Sequence, residues 1–238
     1  MDSIRGALAA LVTGIAATLV ILALAILPFL TPAWVAFGQD QAEATAWTGY
    51  TTNQLRAVTD AILADLVVGP PDFDVTLEGA PVLDQGERQH MRDVRAVFAG
   101  FYAAAAIGAL VLVAAFLLAR SPERRARLWR RLSGTGVVVA VVTVVGGLVG
   151  VAFFDQAFEL FHELFFPAGS YLFDPATEKL VQIFPQPFWV DSTIGVGAVV
   201  ILLAAGLWWL GRRRATALES RLLQAPSPAT ATGPVTAP

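Results

Sequence analysis

The chain has 238 residues, of which 56% are hydrophobic and only 15% are charged, whereas about 25% of an average soluble domain is charged. With a mean hydropathy of +0.63 and a net charge of −3, this composition excludes an ordinary soluble enzyme, a disordered chain and a basic nucleic-acid binder. The absence of cysteine excludes disulfides, thiol catalysis and zinc–thiolate sites.

Four long uncharged stretches predict membrane-spanning segments. A helix needs about 20 apolar residues to cross a hydrocarbon core of about 30 Å, and the uncharged runs place spans near residues 7–30, 96–119, 134–154 and 194–210. Because every backbone N–H and C=O group in hydrocarbon must be paired within its own segment, these spans are predicted to be helices. The sequence therefore predicts an all-α polytopic membrane protein with four transmembrane helices and two extracytoplasmic segments. We expect residues 1–211 to form a single membrane-embedded domain.

The distribution of arginine predicts the orientation of the chain. One side of the membrane, which includes residues 120–131 and the end of the chain, carries 11 basic and 3 acidic residues, and the other carries 5 basic and 16 acidic residues. The positive-inside rule therefore predicts that both termini are cytoplasmic and that residues 31–95 and 155–191 lie outside. The cytoplasmic tail, residues 212–238, ends in uncharged Pro, Ala, Thr and Ser, and we expect it to be largely disordered.

The first outside segment contains two helical patterns. Residues 51–68 predict an amphipathic helix that ends at Gly69-Pro70-Pro71 and places four apolar residues on one face, namely Leu55, Val58, Ile62 and Leu66. After a mixed, strand-like stretch, the helical pattern resumes at Leu83 and continues into the second span. In that helix Glu87, His90 and Asp93 are spaced three apart and share a broad face. His90 would stand about 9 Å beyond the apolar run, although for this histidine in isolation a charged, solvated helix end at the membrane surface is the favoured explanation.

The second outside segment begins with a predicted helix over residues 154–166 that continues the third span. One face is aromatic and predicts contacts with an acyl chain through three candidate residues, Phe158, Phe161 and Phe165. A second stripe holds Asp155, Glu159 and His162. An interfacial helix with lipid below and water above also explains the phenylalanines, but it explains an ionisable stripe less well.

The two histidines of the chain, His90 and His162, both lie in the outside segments and near the ends of predicted spans. If both helices extend from the membrane, the imidazoles stand about 9 and 12 Å beyond their spans and are able to meet. Histidine is the usual general acid or base near neutral pH. A metal site of two histidines and a carboxylate is an alternative, but His162-Glu163 is not followed by the second histidine of H-E-x-x-H. Acid–base chemistry is therefore favoured.

Three stretches, in this order and on this topology, resemble one membrane-protein family. They are residues 87–94 (Glu-Arg-Gln-His-Met-Arg-Asp-Val), residues 161–166 (Phe-His-Glu-Leu-Phe-Phe), and Phe173-Asp174-Pro175 with Phe184-Pro185. The family is the lipoprotein intramolecular transacylase family of four-helix bacterial membrane enzymes, and the resemblance covers roughly residues 7–211.

The resemblance implies an activity, substrates and a location. Members of the family move the sn-2 acyl chain of a diacylglyceryl-modified cysteine to the α-amino group of the same cysteine, which produces a lyso-form lipoprotein. The implied partners are bacterial lipoproteins and membrane lipids, and the implied location is the bacterial cell membrane with the active site on the extracytoplasmic face.

The resemblance also implies roles for individual residues. The paired histidines would be His90 and His162, which would serve as general base and general acid without cofactor or metal. Arg88 and Arg92 are candidate donors to a tetrahedral oxyanion. The candidates for orienting an imidazole are Asp93, Asp155 and Glu159.

A competing interpretation is that the chain is not an enzyme. A lipid- or peptide-binding membrane module, or an accessory subunit of an export system, would use the aromatic stripe for binding, and its histidines would be incidental. Replacing the histidines distinguishes the two interpretations, because only an acid–base enzyme depends on them.

Overall fold

The computed structural model describes residues 2–224, and that part of the chain is almost entirely helical. In chain order its helices are α1 (Asp2–Ile26), α2 (Pro32–Gln41), α3 (Ala44–Thr48), α4 (Thr52–Val67), α5 (Gln85–Leu118), α6 (Pro122–Ala152), α7 (Phe154–Phe165), α8 (Lys179–Ile183) and α9 (Gln186–Gln224). A 3₁₀ turn (Leu27–Leu30) follows α1, and two short strands, β1 (Thr76–Leu77) and β2 (Ala80–Pro81), pair as an antiparallel hairpin.

Four of these helices, α1, α5, α6 and α9, are long and apolar enough to cross a membrane, which confirms the predicted fold class. The first helix ends before the predicted boundary at residue 30, because Pro28 lies in the turn that follows it. The helices α5 and α9 extend well beyond their apolar parts and carry charged turns outside them. The charged turns of α5 hold one of the two histidines.

The tail differs in part from its prediction. Helix α9 continues to Gln224, so residues 212–224 of the tail, which we expected to be largely disordered, are helical. This stretch is rich in Arg, Leu and Ala, which favour helix, and contains neither Gly nor Pro. Glu219 also accepts a hydrogen bond from Arg130 at 2.5 Å. Residues 225–238 lie outside the described part of the chain.

The four long helices pack as two close pairs, α1 with α5 and α6 with α9. In the second pair, a Cβ at Gly136 would lie 2.5 Å from the carbonyl oxygen of Ala204, so only glycine permits this approach. The hydroxyl of Ser133 donates to the carbonyl of Trp208 at 3.0 Å in the same contact. In the first pair, Gly108 faces the backbone of Ala16. Small residues therefore determine how closely each pair packs.

A compact unit at one end of the bundle is formed by α2 to α4, the hairpin, α8 and the first turns of α5. As predicted, the apolar face of α4 is buried, with Leu55, Val58 and Ile62 each about 1% exposed. Phe73 and Ile183 complete this core. The unit holds the start of α5 in place. Its location outside the membrane remains a prediction from the arginine distribution.

Candidate active site

His90 lies in the second turn of α5, whose first residues are held by a capping box. The carboxylate of Asp84 accepts from the backbone N–H of Glu87, and the carboxylate of Glu87 accepts from the backbone N–H of Asp84. These reciprocal bonds begin the helix at a defined residue, so the direction of His90 is defined as well. The side chain of His90 is 6% exposed.

His162 lies on α7 and is 8% exposed. The expectation that the third span continues outward as one helix is wrong, because Phe153 has a non-helical backbone (φ −125°, ψ 49°) and separates α6 from α7. Beyond α7, Gly169 takes a positive φ of 82°, a conformation that glycine adopts without strain. The chain then turns so that Tyr171 meets the ring of His162.

The two imidazoles stack against each other. Their ring centroids are 5.9 Å apart and their planes differ by 22°. This separation lies within the roughly 10 Å that a site shared by two acid–base groups and one substrate group requires. The rings come from α5 and α7, which are 72 residues apart at these positions, so the tertiary fold brings them together.

Aromatic side chains surround the pair. The centroids of Phe158 and Phe161 lie 4.1 and 5.4 Å from that of His162, whereas Phe165 contacts Phe161 at 4.9 Å. Three rings that the sequence analysis did not select also contact the histidines, at centroid distances of 4.8 Å for Phe166 to His90, 5.4 Å for Phe173 to His90 and 5.0 Å for Tyr171 to His162. Phe166 and Phe173 lie in the stretches that carry the family resemblance, whereas Tyr171 lies outside those stretches.

A backbone bond determines the tautomer of His162. Its Nδ1 lies 2.7 Å from the carbonyl oxygen of Phe158. Because a carbonyl only accepts, Nδ1 carries the proton, and in the neutral ring Nε2 presents a lone pair. Burial lowers the pKa of His162, and the bond to Phe158 opposes this change. The ring is therefore neutral near pH 7 and able to accept a proton at Nε2.

His90 has a different environment. Its Nδ1 is buried and has no hydrogen-bond partner among the described residues. Burial, and to a lesser extent the neighbouring His162, together lower the pKa of His90 to about 4, although Asp93 acts in the opposite direction. A buried polar atom without a partner is costly, so this nitrogen is available to a group that enters the site.

The two predicted oxyanion donors are bonded to groups other than the histidines. Arg88 donates to the carbonyl of Asp72 at 3.2 Å and forms an ion pair with Asp74 at 3.1 Å. Arg92 donates to the side-chain oxygen of Gln89 at 2.8 Å. Both arginines would have to leave these partners before they could reach a reacting carbonyl.

The three predicted orienting carboxylates also have other neighbours. Asp93 accepts from Gln89 at 2.9 Å, and Asp155 accepts from Gln186 at 2.6 Å. Glu159 is exposed and forms no side-chain hydrogen bond to the described residues. Asp155, Glu159 and His162 follow helical spacing, but the carbonyl four residues before His162 already occupies its Nδ1. In the described residues no three His, Asp or Glu side chains are arranged to hold a metal ion.

Glu87 is the buried carboxylate that the sequence analysis did not select. It is 2% exposed, and besides capping α5 it accepts from the backbone N–H of Leu180 at 2.6 Å. Burial raises the pKa of Glu87, although both backbone bonds act in the opposite direction. The bond to Leu180 joins α5 to the segment that carries Phe173. The sequence feature that could have identified Glu87 as a site residue was its position three residues before His90 on the same helix.

Comparison with known proteins points to one family. The family model described as "Lipoprotein intramolecular transacylase Lit" matches residues 11–189. The structure of the membrane-integral transacylase Lit from Bacillus cereus aligns with a TM-score of 0.73 at 17% identity, over 92% of this chain and 99% of that chain. A second structure of that enzyme, with one histidine replaced by arginine, aligns with a TM-score of 0.69 at 16% identity, over 94% and 96% of the two chains. These alignments show a shared fold.

A curated relative from Aquifex aeolicus, an uncharacterized protein, is 27% identical over 116 residues, which is 49% of this chain and 50% of that protein. The chain therefore spans about half the length of this relative. The family model, by contrast, covers most of the chain and both histidines. The predicted resemblance is thus confirmed, and the chain belongs to the lipoprotein intramolecular transacylase family, Lit.

Proposed function

We propose that this protein is an acyltransferase that moves the sn-2 acyl chain of a diacylglyceryl-modified cysteine to the α-amino group of that cysteine. The product is a lyso-form lipoprotein with one acyl chain on nitrogen and one on glycerol. Family membership supports the reaction class. The observation that carries the proposal is the stacked pair of His90 and His162, whose rings lie 5.9 Å apart inside an aromatic enclosure.

In the proposed mechanism His162 is the general base. Its Nε2 takes a proton from the α-amino group as the nitrogen attacks the ester carbonyl carbon. Collapse of the tetrahedral intermediate breaks the bond between that carbon and the sn-2 oxygen, which leaves as a glycerol hydroxyl. The adjacent ring of His90 relays the proton to this oxygen. The proton lost by nitrogen thus ends on glycerol, and the reaction needs no further reactant.

The reaction mainly requires orientation, because amine and ester belong to one molecule. Effective molarities of well-oriented intramolecular reactions reach about 10⁵ M or more. The rings around the histidines restrict the substrate to a few orientations and exclude water, which would otherwise hydrolyse the ester. We therefore expect transfer to be favoured over hydrolysis at this site.

The oxyanion needs a hydrogen-bond donor, and the predicted arginines are engaged elsewhere. Among the five aromatic side chains that contact the two histidines, only that of Tyr171 carries a hydroxyl. Its hydroxyl forms no hydrogen bond to the described residues. We therefore favour Tyr171 over Arg88 and Arg92 as the donor.

The acyl chains are proposed to lie along α7. Phe158, Phe161 and Phe165 are 36%, 45% and 51% exposed, although they are large and apolar, so this face suits lipid. In the proposed location the protein crosses the bacterial cell membrane four times, with both termini in the cytoplasm and the histidines on the extracytoplasmic face. Arg120, in the connection between α5 and α6, and the arginines in the first turns of α6 support this orientation.

Mass spectrometry of the N-terminal cysteine tests the proposal. Incubated with a diacylglyceryl lipoprotein, the protein should yield an N-acylated, monoacylglyceryl product with two acyl chains in total. His90→Ala and His162→Ala should each lower the rate at least about 10²-fold, as expected for loss of a general acid or base. Glu163→Ala, at an exposed position beside His162, is the matched control and should retain activity.

Two results would reject the proposal. A product with three acyl chains would show that the acyl group comes from a second molecule. Full activity in both alanine variants would remove the acid–base mechanism. If the wild-type protein binds the lipoprotein without converting it, the chain is the binding module that the sequence analysis kept as its alternative.

A further inference from the structure

The end of the bundle opposite the histidine pair carries a shallow, open cleft of about 530 Å³. The cleft lies on α9, where the apolar part of the helix gives way to charged residues. It is lined by Trp208, Trp209, Arg212, Arg213, Thr216 and Ala217. The bond from Ser133 to the carbonyl of Trp208 places this part of α9 beside the first half of α6. The cleft is thus remote from the acyl-transfer site.

Among the described residues, the arginines of the cleft have no acidic partner. The ion pairs of the described residues join Arg56 to Asp40, Arg88 to Asp74 and Arg130 to Glu219. Arg212 and Arg213 are exposed, and the guanidinium of Arg213 lies over the ring of Trp209 at 4.7 Å. This stacking orients the cation without neutralising it, so the cleft offers positive charge to an anion.

The tryptophans indicate that the anion is part of a lipid. Trp208 and Trp209 are 39% and 53% exposed and lie at the boundary between the apolar and the charged parts of α9, the position that tryptophan favours at a membrane interface. A free anion would be recognised by the arginines alone and would gain nothing from the adjacent indole surface. A phospholipid has both a phosphate for the arginines and a glycerol–acyl region for the indoles.

We propose that this cleft binds an anionic phospholipid, with Arg212 and Arg213 on the phosphate and Trp208 and Trp209 against the glycerol and the upper acyl chains. Charge-assisted bonds from guanidinium to phosphate are strong and geometrically specific. The uncompensated charge of Arg212 and Arg213 favours anionic over zwitterionic lipid. This lipid is bound at a place separate from the substrate lipoprotein.

Native mass spectrometry of the full chain, titrated with phosphatidylglycerol, tests the proposal. The double variant Arg212→Gln/Arg213→Gln should weaken binding of the first lipid about 30-fold, which corresponds to about 1 kcal/mol for each arginine near an anionic lipid. The control is Arg124→Gln/Arg127→Gln, which removes two exposed arginines at the same end but outside the cleft. A change of less than about threefold is expected there, because solvent and salt screen diffuse charge.

Three further measurements complete the test. Phosphatidylcholine should bind more weakly than phosphatidylglycerol, and inorganic phosphate should not displace the bound lipid. The cleft variant should keep transacylase activity, which shows that it is folded. Equal weakening in the two double variants, no preference for phosphatidylglycerol, or displacement by phosphate alone would each overturn the proposal, and none of these results bears on the acyl-transfer mechanism.

Discussion

Removing the carboxylate of Glu87 should destabilise the protein and the histidine pair together. This carboxylate joins the first turn of α5 to Leu180, while His90 follows one turn later on the same helix. Glu87→Ala leaves the N–H of Leu180 without its acceptor, which costs about 1–3 kcal/mol for a buried donor. It also breaks the capping box at Asp84, which costs about 1 kcal/mol. We expect the free energy of unfolding to fall by about 2–4 kcal/mol.

Glu87→Gln is the matched control for this prediction. Its amide oxygen still accepts from the N–H of Leu180, but its NH₂ group faces the N–H of Asp84 and cannot accept from it. The control should therefore lose only the capping bond, about 1 kcal/mol. Its transacylase activity should remain close to that of the wild type, because the link between α5 and the segment with Phe173 is kept.

Denaturant or thermal unfolding in detergent measures the stability, and product mass spectrometry measures the activity well below the unfolding midpoint. Under those conditions Glu87→Ala should remain folded but transfer acyl groups more slowly, because His90 and Phe173 are no longer joined through Leu180. A loss of stability below about 0.5 kcal/mol, the range of ordinary surface substitutions, would refute the reasoning. Equal losses in the alanine and glutamine variants would refute the assigned role of the Leu180 bond.

Four further outcomes are expected. The pKa values of both histidines are lowered, to about 4 for His90, so protonation of these rings favours the unfolded chain. We therefore expect the free energy of unfolding to fall as the pH drops from about 6.5 toward 4. The decrease should be smaller in His90→Ala. Gly136→Ala should lower the free energy of unfolding by about 1–3 kcal/mol, because its Cβ would meet backbone atoms of α9. The control Gly146→Ala has open space around its Cβ and should be neutral or stabilising. Equal effects of the two substitutions would contradict the packing argument. Tyr171→Phe should lower the transfer rate about 10²-fold if its hydroxyl donates to the oxyanion, and an unchanged rate would return that role to the arginines. Since the chain has no cysteine, a membrane-impermeant maleimide should label Glu78→Cys but not Arg127→Cys in intact cells, and the reverse pattern would invert the topology.

Features that depend on local pattern were predictable from the sequence. Hydrocarbon requires long uncharged helices, so the four spans follow from composition alone. The amphipathic helix α4 follows from the spacing of Leu55, Val58 and Ile62, because these residues lie on one face whatever they pack against. The two histidines could be proposed as partners, since each lies near the outer end of a predicted span.

The tertiary structure decided which groups meet within the site. Helical spacing placed Asp155 and Glu159 near His162, but a backbone carbonyl of the same helix takes its Nδ1–H. Arg88 precedes His90 by two residues, which places it about 200° around the helix, and it bonds instead to Asp72 and Asp74.

The link between Glu87 and Leu180 joins residues 93 positions apart, and Phe166, Tyr171 and Phe173 reach the histidines from an irregular segment. Contacts of this kind arise from competition among partners that are distant in the chain. The periodicity of one helix shows only which of its side chains share a face. It does not show which groups from elsewhere in the chain the fold brings to that face.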